Sequence, residues 1–341
     1  MNNNLDPMGI GKALELFPEQ IKTTYSQTLN SNIETLNFDS IVISGMGGSS
    51  NAGKIIQSLL EGESFIPVFV FNDYGLPAWV NEKTLVVLNS YSGNTEETLS
   101  AYEVAKQKNC KVIGVATGGK IAEVITSGEI KGVIVSAGET NPSNYPKSGL
   151  GVSFGALFGA LTKVGLIKTE EAELNSALSE LVEIRKTWDA KEKSNWLKDS
   201  VPVLFSSRSL IGPLNAGRNA MCEIGRVFTV FYDFPEVNHV LIEATQKPDF
   251  IKDKFKYLFF ESKFDNDRIK LRYKITKEIF ADQKLSTNSY VLSTSSRLSQ
   301  SLELAHYCAW LGYNLSINRG EDPGPEPWII KLKEALSQPI H

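Results

Sequence analysis

The sequence predicts an α/β protein with two mostly parallel sheets, each flanked by helices, and three observations predict it. Short β-branched runs alternate with longer helical patterns along most of the 341 residues. The runs are apolar throughout rather than alternating, as strands covered on both faces require. The pattern stops near residue 150 and restarts near residue 200, so the chain divides into two such units, as its length allows.

In the first unit, strands are expected at 39–44 (DSIVIS), 66–71 (IPVFVF), 84–89 (TLVVLN), 111–116 (KVIGVA) and 132–136 (GVIVS). The first runs into the glycine cluster Gly45-Met46-Gly47-Gly48, and a helix is expected from Asn51 to about Leu60. Residues 96–108 place apolar or small side chains every three to four positions and read as a second helix. From 146 to about 198 the strand signals vanish. There, 151–164 is small and apolar, and 169–188 carries charges at helical spacing behind Thr169 as a cap, so this is a helical connection. The strand pattern restarts at 201–206 (VPVLFS), 256–261 (KYLFFE) and 289–293 (SYVLS), with helices near 215–224, 267–281 and 297–312. A terminal helix, 327–337, follows the proline-rich stretch 322–327. The expected division is therefore 1–150, 151–198 and 199–341. One internal echo supports related halves: GSSNAGK at 48–54 and GPLNAGR at 212–218 both fit G-x-x-N-A-G-[KR], each just after the first strand of its unit.

Composition excludes several classes. The 35 basic and 39 acidic side chains leave a net charge of −4, which gives no electrostatic footprint for nucleic acid or an anionic membrane. The 22% charged and 10% aromatic content is that of a soluble globular protein. The N-terminal region has no run long enough to span a membrane, and 1–7 (MNNNLDP) lacks the basic stretch of a signal peptide. Cys110, Cys222 and Cys308 are scattered, forming neither a disulfide framework nor a metal site, so a reducing cytoplasm is expected.

Ligands of open parallel sheets bind beyond the carboxyl ends of the strands. Two loops there are unusual. Ser44 to Ser50 (SGMGGSS) lets backbone approach an anion at a helix start, where unpaired N–H groups and the helix dipole favour negative charge. Ser90 to Thr95 (SYSGNT) sets four hydroxyl-bearing side chains and a glycine before another helix, which suits a phosphate. Taken singly, either loop also fits N-caps and turn residues. The nucleotide alternatives fit poorly. G-x-G-x-x-G would need glycine at Ser50, and no Walker A lysine pattern occurs. Asp73, near the end of the second strand, keeps a ribose-binding acid, and with it a nicotinamide-dependent oxidoreductase, open.

The SGMGGSS loop, the NSYSGNTEET loop and the VIGVATGG strand resemble sugar isomerase (SIS) domains, which bind phosphosugars. The resemblance extends to the bifunctional phosphoglucose/phosphomannose isomerase family. Tyr74-Gly75-Leu76-Pro77 is similar to its Y-x-L-P segment, Cys222 to Arg226 to its E-N-x-K segment, and Pro235 to His239 to its P-E-x-N-H segment. Asp322-Pro323-Gly324-Pro325, ending in Leu332-Lys333, is similar to its D-P-x-P…L-K helix. The match covers roughly 40–335 in order. It implies two SIS domains, a homodimer, and aldose–ketose isomerisation of a sugar 6-phosphate between C1 and C2 through an enediol, without metal or nicotinamide.

On that resemblance, Gly47, Gly48, Ser49, Ser90, Ser92 and Thr95 would hold the phosphate. Ring opening needs a proton shuttle near neutral pH, which suits histidine. His306 falls in a helical pattern and reads as a packing or surface residue, and His341 is terminal. His239, in the loop-like PEVNH segment, is the remaining histidine and would open the ring with Lys333. Glu223 would move the proton between carbons, with Glu236 and Glu243 as competitors that spacing leaves open. The family's enediolate-stabilising arginine corresponds to Lys147 in PKSGLG, and its asparagine and lysine to Ile224 and Arg226. An ammonium lacks the planar fork of an arginine, so a non-catalytic phosphosugar-binding protein is the main rival. Sequence leaves open the choice between glucose and mannose, and whether His239 acts within its own chain or across a dimer.

Overall fold

Residues 5–336 are described in a computed structural model; His341 and the last residue of the expected terminal helix lie outside them. Two short helices come first, α1 (Ile10–Glu15) and α2 (Phe17–Leu29). The first sheet follows, with β1 (Ser40–Ser44), α3 (Gly47–Leu60), β2 (Val68–Phe71), β3 (Thr84–Ser90), α4 (Glu96–Gln107), β4 (Lys111–Ala116), α5 (Gly119–Thr126) and β5 (Lys131–Ile134). Three helices lead onward, α6 (Leu150–Lys163), α7 (Glu171–Arg185) and α8 (Ala190–Leu197). The second sheet comprises β6 (Val201–Ser207), α9 (Ile211–Glu223), β7 (Val230–Phe234), α10 (Val237–Ala244), α11 (Ile251–Lys254), β8 (Phe255–Ser262), α12 (Asp267–Asp282), β9 (Ser286–Leu292) and α13 (Arg297–Asn318). The described chain ends in α14 (Pro327–Leu336).

Both sheets are parallel throughout, in the orders β2-β1-β3-β4-β5 and β7-β6-β8-β9. Their apolar runs serve two cores each. In the first sheet Ile41, Ile43, Leu85 and Val87 face α2, α3 and α6, while Val42, Val86 and Leu88 face α4 and α5. In the second, Leu204, Leu258 and Phe260 pack on α8 and α13, and Val203, Phe205, Tyr257 and Phe259 on α12. Burial on both faces is why the runs are continuous. Of the connecting helices, α6 joins the first core and α8 the second.

The structure adds elements that the pattern did not predict. The edge strand β7 is only half-buried and contains Asp233, so its apolar run is interrupted. Helix α3 begins at Gly47 inside the glycine cluster, not at Asn51. The PEVNH segment is not a loop: from Val237 onward it is α10, and His239 stands on that helix. The echoed motifs lie on α3 and α9, and these two helices pack on each other. Gly212, at the start of α9, meets the later half of α3, where its N–H donates to Ser58 Oγ at 2.9 Å. A Cβ there would come within 2.0 Å of the Lys54 carbonyl oxygen, so only glycine fits. Asn219, further along α9, donates to Asn51 Oδ1 near the start of α3 at 2.8 Å. The helices therefore run antiparallel, and the carboxyl end of the first sheet lies beside the amino end of the second.

Candidate active site

The order of the first sheet reverses at β1, with β2 on one side and β3 on the other, so the crevice for a ligand lies between the ends of β1 and β3. Both hydroxyl-rich loops sit there and are tied together. Tyr91 N–H donates to Ser49 Oγ at 2.9 Å, and Asn89 Nδ2 donates to the Ser49 carbonyl at 2.8 Å. Ser90 and Thr95 share a hydroxyl hydrogen bond of 2.9 Å, and Gly93 N–H donates to Ser90 Oγ at 3.0 Å. Gly93 has φ +70°, and a Cβ would strike the Gly118 carbonyl at 1.8 Å, which fixes glycine at this turn. Ser92 is exposed at the crevice mouth, whereas Ser49 and Ser90 are buried in the loop scaffold.

The helix starts here lack side-chain caps. Met46 precedes α3 and Thr95 precedes α4, and neither side chain accepts from its helix. First-turn N–H groups left in this way suit an anion. The Thr95 hydroxyl, the natural cap, is turned to Ser90 instead.

Beside this crevice, the carboxyl end of α9 carries Glu223. One narrow cavity is lined by Gly48 and Asn51 of α3, Lys147, and Ala220 and Glu223 of α9, with His306 of α13 deeper in. Burial pushes the Glu223 pKa up to about 7, and the negative charge of Glu326 adds to this against the cations Lys147, Arg218 and Lys333. A carboxyl that titrates near neutrality can both take and return a proton. Two further cations line the seam. Lys54 on α3 and Arg218 on α9 occupy matching places in the two echoes, and burial together with Arg218 draws the Lys54 pKa down.

The structure brings only some of the expected residues together. Lys147 does reach the cavity, but its Nζ donates to Pro323 O at 2.9 Å and Gly324 O at 2.7 Å and pairs with Glu326 at 3.3 Å. Those three partners use every N–H of an ammonium. Lys333 lies on α14, exposed, within electrostatic reach of Glu223. His239 is exposed beyond the carboxyl end of β7, while Glu223 precedes its amino end. Five strand residues separate them, a span of about 16 Å. Glu236 is exposed on the same far side, and Glu243 is on α10 with it, so neither shares the cavity with Glu223. His306 is a packing residue: Nε2 lies 2.7 Å from Leu14 O, and burial pushes its pKa down to about 3, which keeps it neutral. Sequence reasoning assigned no role to Asn51, although it falls in the echoed motif, or to Glu326, which lies within the proline-rich stretch.

Among the described residues no cluster of three His, Cys, Asp or Glu side chains could hold a metal, and no helix is long and apolar enough to cross a membrane. Comparison with known proteins agrees with the geometry. Residues 36–122 match the SIS domain, and residues 186–336 match the bacterial phospho-glucose isomerase C-terminal SIS domain. The chain is 30% identical over 333 residues to a bifunctional phosphoglucose/phosphomannose isomerase of Caldicellulosiruptor bescii, covering 94% of this chain and 97% of that one. A protein of the same name from Aquifex aeolicus is 32% identical over 302 residues, covering 88% and 91%. In fold, it is similar to the crystal structure of a glucosamine-6-phosphate deaminase from Thermotoga maritima, with a TM-score of 0.67 at 18% identity over 93% of this chain and 98% of that one. The C-terminal domain of a glucosamine-fructose-6-phosphate aminotransferase from Francisella tularensis gives 0.66 at 15% identity, covering 93% and 98%.

Proposed function

The chain belongs to the bifunctional phosphoglucose/phosphomannose isomerase family, and from that premise we propose that it interconverts glucose 6-phosphate and mannose 6-phosphate with fructose 6-phosphate. The observation that carries this is the single cavity lined by both Gly48 of the first phosphate loop and Glu223. A sugar phosphate seated across its mouth would have its phosphate at the first loop and its C2 beside the carboxyl.

The phosphate sits on the uncapped starts of α3 and α4, with Gly47, Gly48, Ser49, Ser90, Ser92 and Thr95 around it. Once the ring is open, Glu223 takes the proton from C2 and the carbonyl at C1 becomes the oxyanion of an enediolate. The C2 hydroxyl passes its proton to that oxyanion, and Glu223 delivers the first proton to C1 as the oxygen on C2 becomes the ketone. No net redox partner enters. The negative charge of the enediolate is met by the positive field of Lys147, Arg218 and Lys333 around Glu223.

Ring opening is assigned to Lys333 and to His239 of a second copy, because about 16 Å of strand separates His239 from Glu223 in one chain. A cytoplasmic homodimer, with the chain divided at 150 and 198, completes the reading. The activity is tested by a coupled assay for fructose 6-phosphate from each aldose, run with EDTA and no nicotinamide on the substrate side; absence of product from both sinks it. The shared site is tested by mixing inactive Glu223→Gln and His239→Ala chains. Mixed dimers contain one intact site in two, so about a quarter of wild-type turnover should return. No recovery would place the ring-opening group elsewhere.

A further inference from the structure

The strap between α13 and α14 turns three successive carbonyls towards two cations. Arg226, in the turn after α9, donates through Nη2 to the Asp322 carbonyl. Lys147, in the turn before α6, donates to the next two, Pro323 and Gly324. Its third N–H faces Glu326, and the Lys147 side chain is only 1% exposed and that of Glu326 16%. Asp322 Oδ1 accepts from Gly324 N–H at 2.8 Å, which holds the strap in its turn. Gly324 itself fits tightly: a Cβ would lie 2.6 Å from Met8 Sδ. Beyond this point α14 buries none of its side chains. Ten residues of helix are too few to be stable alone in water.

We propose that Lys147, Arg226 and Glu326 form a clasp that holds α14, and Lys333 on it, over the Glu223 cavity, with Glu326 as the positioning residue that locks Lys147 in place. This rests on the reading that Lys333 assists ring opening. It also explains why lysine stands where the family has arginine. A compact ammonium can donate in three directions to two carbonyls and a carboxylate, and a planar fork cannot. In this chain Lys147 is a positioning residue, and its N–H groups do not reach substrate. The charged groups around Glu223 are Lys147, Arg218, Lys333 and Glu326, with Arg226 facing Lys147. Loss of Glu326 leaves Lys147 uncompensated and removes a like charge from Glu223, so both effects favour the ionised carboxylate.

Hydrogen–deuterium exchange of the full-length protein reads the clasp without reference to catalysis. In Glu326→Ala the amides of 327–336 should exchange about tenfold faster, the measure of one charged hydrogen bond, with α9 unchanged. Glu326→Gln, which keeps an acceptor oxygen, should fall between the two. Kinetics give a second readout. Glu326→Ala should lower kcat for the cyclic sugar phosphate about tenfold, by the same measure, with KM nearly unchanged. Its acid limb should move to lower pH, and turnover of an analogue that cannot cyclise should be spared. Lys147→Arg should loosen the helix and lower kcat as well. Unchanged exchange at 327–336 in Glu326→Ala, or wild-type turnover in Lys147→Arg, overturns the clasp. If the wild-type protein does not isomerise sugar phosphates, the function fails while exchange still decides the clasp.

Discussion

At the carboxyl end of the first sheet, α3 and α4 start without a side-chain cap, while α5 receives Asn94 Oδ1 at the Lys120 N–H. At the carboxyl end of the second, Asn266 caps α12, Ser296 and Ser299 form a capping box on α13, α9 receives Ser58 from the opposite half, and α10 alone starts uncapped behind Glu236. The two ends correspond through the echoed motifs. Aligning Gly48 with Gly212 sets Leu59 of α3 opposite Glu223 of α9. One crevice thus has two neighbouring free helix starts, α3 and α4, and an acid from the facing helix; the other has a single free start, behind the edge strand β7, and a leucine. The two ends share an architecture and differ in a few side chains at helix termini, not in topology.

Removing the acid should have the largest effect. Glu223→Gln keeps size and hydrogen bonding but removes the base, so turnover should fall about 10²–10⁴-fold. Binding of 6-phosphogluconate, followed by calorimetry, should persist. Adding Leu59→Glu in that background should restore nothing; recovered turnover would show that the second crevice is competent after all.

The same substitution should stabilise the fold. The native carboxyl keeps its proton to about pH 7, whereas an ordinary glutamate loses it near 4.5. Between these values the unfolded chain ionises and the native one does not, so stability falls as pH rises through the window and stays lower above it. Glu223→Gln should therefore gain about 3 kcal/mol at pH 8 and nothing below pH 4. Equal urea midpoints at pH 8 would mean that folding does not raise the Glu223 pKa. Activity should show the opposite dependence, with the acid limb of kcat/KM near pH 7.

Smaller effects separate the two crevices by their hydroxyls. Ser92→Ala and Thr95→Ala should each weaken 6-phosphogluconate binding by about 1.5–3 kcal/mol, or roughly tenfold to a hundredfold. Unchanged affinity in both would move the phosphate elsewhere. Ser296→Ala, at the capped end, should cost about 1 kcal/mol of stability in urea and leave anion affinity untouched. A loss of affinity there would reveal a second binding crevice.

Much of this was legible from local sequence. The β-branched runs gave both sheets because burial on two faces makes them continuous, and SGMGGSS and SYSGNT lie together at the crevice between β1 and β3. Strand β7 escaped because an edge strand has no need to be wholly apolar, and Asp233 breaks its run. Helix α10 escaped because Pro235 and Asn238 read as turn residues. The surroundings of Lys147 could not be read at all. Its carbonyl partners lie 176 and 177 residues further on, and no local rule connects them. Nor does spacing say that Glu223 and His239, sixteen positions apart, end on opposite sides of a sheet.

The packing of α3 against α9 is also a contact through which two separate one-sheet chains would associate. Two copies of a one-sheet chain that met through this helix would have formed two equal crevices related by a twofold axis. Joined in one polypeptide, they need only one to do chemistry, and the other is free to accumulate capping residues and apolar fillers. The close approach of Gly212 to Lys54 is the contact on which such a joint would turn. Halves separated between α7 and α8 and co-expressed should find each other through it, and a bulky residue at Gly212 should keep them apart.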